Sequence, residues 1–130
     1  MIYLFDDKES RQQSYGWTNN KFELWSDVIV RIKDYSDYLS LEEQDIFSER
    51  NIIIYHESFS TCIPYEERTS YQAFHNALID GSELPGINIA IFSGSIASRA
   101  INKNVAHVPV TDMYANLECF LGHYREQEID

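Results

Sequence analysis

Three isoleucines in a row, Ile52, Ile53 and Ile54, set between Asn51 and Tyr55, place the tightest limit on how this chain folds. Successive side chains of a strand point to opposite faces, so an unbroken apolar run needs cover on both sides. The run is too short for a buried helix, and β-branched residues favour the pleated chain. Such a strand belongs inside a parallel sheet with helices above and below. Residues 1–5, 27–32, 87–92 and 105–110 are short apolar or β-branched runs of the same kind. Pro109 lacks an amide hydrogen, which assigns the last run to a sheet edge.

The intervening segments read as helices and turns. Residues 8–25 are polar and interrupted by Gly16, Asn19 and Asn20, which predicts short or irregular helix. Ser40, Leu41, Glu42 and Glu43 form a capping-box sequence opening a short helix with Leu41, Ile46 and Phe47 inward. A loop containing Pro64 spans 59–69, and a helix spans about 70–80, with Tyr71, Phe74, Ala77 and Leu78 at helical spacing and Gly81 as its stop. Pro85 and Gly86 make a turn. Ser93, Gly94 and Ser95 close the fourth strand, and Ser95 caps a short helix over 96–102. The final helix carries a stripe of Met113, Leu117, Phe120, Leu121 and Tyr124, with Thr111 or Asp112 as its cap. Five β-α units in succession predict one α/β domain over residues 1–130, with helices on both faces of a parallel sheet.

Charge and composition narrow the function. The net charge of −11 repels phosphate backbones, so direct nucleic-acid binding is not expected, while a basic protein partner is favoured. No stretch offers the roughly 20 apolar residues of a membrane span. The first residues reach Asp6 and Asp7 without a basic segment, which predicts no cleavable leader. Cys62 and Cys119 have no CxxC spacing and read as reduced thiols of a cytoplasmic protein.

Polar residues gather where the strands end, which is where ligands of open α/β sheets bind. Asp6 and Asp7 follow the first strand, His56 and Glu57 the third, Ser93 the fourth and Thr111 the fifth. With this order of elements, the chain resembles the receiver domain of two-component response regulators (CheY-like). The resemblance implies a flavodoxin-like three-layer α/β/α sandwich with a five-stranded parallel sheet in the order 2-1-3-4-5. In that family two acidic residues after the first strand hold a magnesium ion, and Asp6 and Asp7 match them. His56 stands where the phospho-accepting aspartate is expected, Ser93 matches the hydroxyl residue of the fourth strand, and the Lys-Pro after the fifth strand is replaced by Thr111-Asp112. The resemblance is therefore to a degenerate, pseudo-receiver form.

Each candidate has two readings. Asp6, Asp7 and Glu57 could hold Mg²⁺, the one cofactor considered, or the aspartates could cap a helix and face water. His56 could accept a phosphoryl group, bind metal or titrate; the plainer reading has it hydrogen-bonded to Asp6 or Asp7, tying the first and third strands together. Ser93 to Ser95 could cradle an anion or simply turn the chain. Ser58 and Ser60 lie near the cleft, but no GxSxG elbow supports hydrolase chemistry. Tyr15, Trp17, Phe22, Trp25, Tyr35 and Tyr38 either anchor their connections to the core or form a contact surface. The favoured expectation is a non-enzymatic regulatory module acting through protein contacts. The alternative is an atypical Mg²⁺-dependent phosphotransfer domain using Asp6, Asp7, Glu57 and His56.

Overall fold

The central strands follow from the apolar runs. In the structure, a computed structural model that describes residues 1–41, 51–80, 88–94, 99–101 and 105–129, they are β1 (Ile2–Phe5), β2 (Ile29–Ile32), β3 (Ile52–His56), β4 (Asn88–Ser93) and β6 (Val105–Pro109). All pair in parallel, in the order β2-β1-β3-β4-β6, which is the 2-1-3-4-5 order of a flavodoxin-like α/β fold. A two-residue strand, β5 (Arg99–Ala100), pairs antiparallel with the outer side of β6. It stands where the sequence predicts part of a helix over 96–102. Pairing with Ala106 and His107 overrides that local preference at Arg99 and Ala100. Pro109 lies beyond these two paired residues, so its missing amide hydrogen costs the ladder nothing on that side.

Helices lie on both faces. The helices are α1 (Glu9–Ser14), α2 (Asn19–Leu24), α3 (Tyr35–Leu39), α4 (Arg68–Asp80) and α5 (Val110–Ile129). One core joins Tyr3, Phe5, Ile53, Tyr55, Ile89 and Ile91 of the sheet to Tyr71 and Leu78 of α4, with Tyr35 and Tyr38 of α3 packed against it. The other joins Ile2, Leu4, Ile54 and Phe92 to Trp17, Phe22 of α2 and Met113, Tyr114, Leu117 and Leu121 of α5. Ile53 and Ile54 enter opposite cores, as the isoleucine run requires.

Several local expectations shift. The polar segment 8–25 holds two short helices separated by Gly16, whose φ of 85° suits glycine. Asp27 and Val28 precede β2 instead of joining it. Ser40 ends α3: its backbone is helical and its hydroxyl donates to the Asp37 carbonyl at 2.6 Å, while the helix predicted after it lies, beyond Leu41, outside the described residues. Glu43, Ile46, Phe47, Gly81, Pro85, Gly86 and Ser95 lie outside the described residues. The predicted loop 59–69 contains 3₁₀ turns at Glu57–Cys62 and Tyr65–Glu67. α5 begins at Val110, so Thr111 and Asp112 sit within its first turn instead of capping it. Its stripe takes in the buried Tyr114 and leaves Phe120 39% exposed.

The aromatic expectations resolve toward packing. Trp17 and Phe22 are buried and anchor the first connection. Tyr38 meets the Tyr71 ring edge-on at 5.1 Å, so it faces the core and is not a contact surface. Tyr15 stays more than a third exposed, stacked on Tyr114.

Candidate functional site

β1 and β3 are neighbours in register, Phe5 opposite Tyr55, so the residues after them share one end of the sheet. Asp6 is buried and its carboxylate is heavily engaged. Oδ1 accepts from the Lys8 amide at 3.0 Å and from Arg11 Nε at 3.1 Å, and it lies 3.0 Å from an Arg11 terminal nitrogen. Oδ2 accepts from the Tyr114 hydroxyl at 2.5 Å. The same guanidinium reaches Asp7 Oδ1 at 3.3 Å, so one cation from α1 bridges the acid pair. Burial first, then the Asp6 carboxylate beside it, pushes the Tyr114 phenol well above its ordinary value and keeps it a hydrogen-bond donor.

His56 is buried and caps the 3₁₀ turn that follows β3. Its Nδ1 accepts from the Ser58 amide at 3.0 Å, so the neutral ring carries its proton on Nε2. Ser58 Oγ lies 2.7 Å from that nitrogen and 3.2 Å from Asp7 Oδ1. The link between β1 and β3 therefore runs from Asp7 through Ser58 to His56, not directly from imidazole to carboxylate as the sequence suggests. The hydroxyl has a single proton, so it donates to Asp7 or to His56 Nδ1 and not to both at once. A serine in the middle is also the wrong order for a hydrolase relay, where the imidazole stands between hydroxyl and carboxylate. Burial first, then the Arg11 charge, lowers the His56 pKa from its ordinary 6.5, against the pull of Asp6, Asp7 and Glu57. The ring edge packs on Phe92 at 4.8 Å.

The remaining candidates are less closely drawn in. Ser93 is buried at the end of β4, in register with Pro109. Glu57 and Thr111 are exposed. Among the described residues, no three His, Cys, Asp or Glu side chains group as a metal site, so Asp6, Asp7 and Glu57 do not form the cluster expected of them. The physical reason is Arg11. A magnesium ion needs at least one open carboxylate oxygen, with water completing its octahedron. Both oxygens of Asp6 are already committed to Arg11, Tyr114 and the Lys8 amide. As arranged, Asp6 offers no uncommitted oxygen to such an ion.

Arg11, Tyr114 and Gln12 complete the site and are absent from the sequence reading. Asp7 and Arg11 stand at i and i+4, a spacing that allows a helical ion pair and offers a signal for Arg11. Gln12, fully buried, donates to the Asp6 carbonyl at 3.3 Å and accepts from Arg31 at 2.5 Å. Nothing local marks Tyr114, which reaches Asp6 across 108 positions of chain.

The opposite face of the sheet carries a second polar group. Tyr55 Oη lies 2.5 Å from Tyr71 Oη and 2.7 Å from His75 Nδ1. Burial raises both phenols and lowers the imidazole. The Cys62 thiol is pushed up to about 11, chiefly by burial, and stays protonated at neutral pH.

These features define a flavodoxin-like α/β domain with an arginine-bridged acid pair at the strand ends. Comparison with protein-family models, with curated proteins and with solved structures finds no match to this chain. No helix among the described residues is long and apolar enough to cross a membrane.

Proposed function

We propose that this chain is a receiver-like regulatory domain that works through protein contacts in signal transduction, without the aspartyl phosphorylation cycle of response regulators. The observation that carries this reading is the Arg11 guanidinium between Asp6 and Asp7, at the sheet end where a receiver would hold its ion. A cation built into the chain gives the acid pair a permanent structural partner. His56 adds support: its Nδ1 is occupied by the Ser58 amide, and an imidazole is not an aspartyl nucleophile. The charge of −11 favours a basic protein surface as partner and disfavours nucleic acid. The Mg²⁺-dependent phosphotransfer alternative has less support, because its three carboxylates do not gather.

The test is direct. The purified chain is incubated with Mg²⁺ and acetyl phosphate, and separately with beryllofluoride, while intact mass and backbone NMR shifts are followed. Unchanged mass and unchanged spectra are expected. A covalent phosphate, or saturable shifts centred on Asp6, Asp7 and His56, would overturn the proposal.

A further inference from the structure

On the face of the sheet covered by α5 lies a cavity of about 400 Å³, whose lining takes in none of Asp6, Asp7 or His56. Its floor follows from the register. Ala90 of β4 lies beside Ile54 of β3, a small residue where a larger one would reach toward the helix. Ile52, Ile54, Ala90 and Val108 line the sheet side, and Met113, Leu117 and Phe120 line the helix side. Phe120 is 39% exposed at this cavity, although the sequence places it on the helix's apolar stripe.

The polar lining has one sign. Among the described residues, only Asp112 and Asn116, one turn apart on α5, are polar, and no lysine, arginine or histidine joins them. Asn116 Nδ2 donates to the Asp112 main-chain carbonyl at 2.8 Å, which leaves its Oδ1 as an acceptor. Asp112 has no ion-pair partner among the described residues. A carboxylate and an amide oxygen beside an apolar hollow call for a guest with an apolar body and a positively charged, proton-donating head. Its volume is that of a small-molecule site, within the roughly 300–1,000 Å³ typical of such pockets, and is too small for the face of a partner helix.

We propose that this cavity is a binding site for a small amphiphilic primary ammonium compound. The alkyl or aryl body lies on Ala90, Val108 and Leu117, and the ammonium group meets Asp112 and Asn116. The acidic surface raises the local concentration of such cations. This inference is independent of the regulatory reading, since it shares no residue with the Asp6 cleft.

The probes are octylamine, 1-octanol and octanoate, titrated into the full chain at neutral pH below micelle formation and followed by ¹H–¹⁵N NMR. Octylamine is expected to give saturable shifts at Ala90, Val108, Met113 and Leu117. Octanol should bind more weakly and octanoate more weakly still. From butylamine to octylamine, affinity should rise by about fourfold per methylene until the cavity is filled. Asp112→Asn, at an exposed helical position, should reduce octylamine to the affinity of octanol. Ala90→Leu should abolish binding by filling the floor, and Asp112→Asn keeps the test decisive if that core variant fails to fold. Octanoate binding as tightly as octylamine, shifts scattered away from α5 and β4, or an amine preference that survives Asp112→Asn would each overturn the proposal.

Discussion

Asp6 is buried at 1% exposure, yet it keeps its charge company: a guanidinium, a phenol and an amide surround it. Removing one partner of a buried pair leaves an uncompensated charge, which costs about 3–5 kcal/mol. Arg11→Ala should therefore lower the unfolding free energy obtained from urea titration by an amount in that range, and the midpoint with it. It should also free the acid pair, so millimolar Mg²⁺ should raise the midpoint of Arg11→Ala and leave that of the unaltered chain in place. Equal stabilisation of both would show that Arg11 does not occupy the cation's position. The two histidines make a separate prediction. Burial, joined by Arg11 for His56, lowers both imidazoles from 6.5, so the folded chain holds the neutral rings. Below about pH 6.5 the unfolded chain binds more protons, and stability falls as pH drops toward the lower folded values. Above that window the stability is fully present. Chemical unfolding between about pH 7 and pH 5 should show this loss, and His56→Gln with His75→Gln should flatten it.

The two helices of the first connection are short, so their ends carry much of the information. Gly16 separates α1 from α2 at a φ of 85°, and a Cβ there would meet nothing within 4 Å. The cost of a side chain is therefore backbone strain alone. Gly16→Ala should cost about 1–2 kcal/mol in unfolding free energy, while Gly16→Asn should cost less because asparagine tolerates the left-handed region. Thermal or urea unfolding of the two variants would settle the order. The last connection teaches the opposite lesson about local signals. The sequence at Arg99 and Ala100 reads as helix, yet both residues pair with β6. Strand pairing depends on what lies alongside, and a two-residue segment has little propensity of its own to resist it.

At the scale of the molecule, one sheet separates two cores. Ile53 and Leu117 belong to different cores. Each truncation to alanine should cost about 2–5 kcal/mol, and the double variant should equal the sum within about 0.5 kcal/mol, because neither cavity borders the other. A larger discrepancy in denaturant unfolding would show that the sheet transmits strain between its faces. The layer structure was legible in residues 52–54, since a β-branched run with no polar member has only one economical environment. So was the position of Asp6, Asp7 and His56 at one end of the sheet, because polar residues that follow a strand must lie where it ends. Sequence alone thus determined the class of fold and the sheet end that these polar residues share. Tertiary structure decided how the cleft is filled. Arg11 folding back from α1 and Tyr114 arriving from α5 depend on packing between elements far apart in the chain, and neither carries a local mark of that meeting. Whether an acid pair is an open cation site or a closed ion pair is a property of three dimensions, because it turns on which charge is nearest.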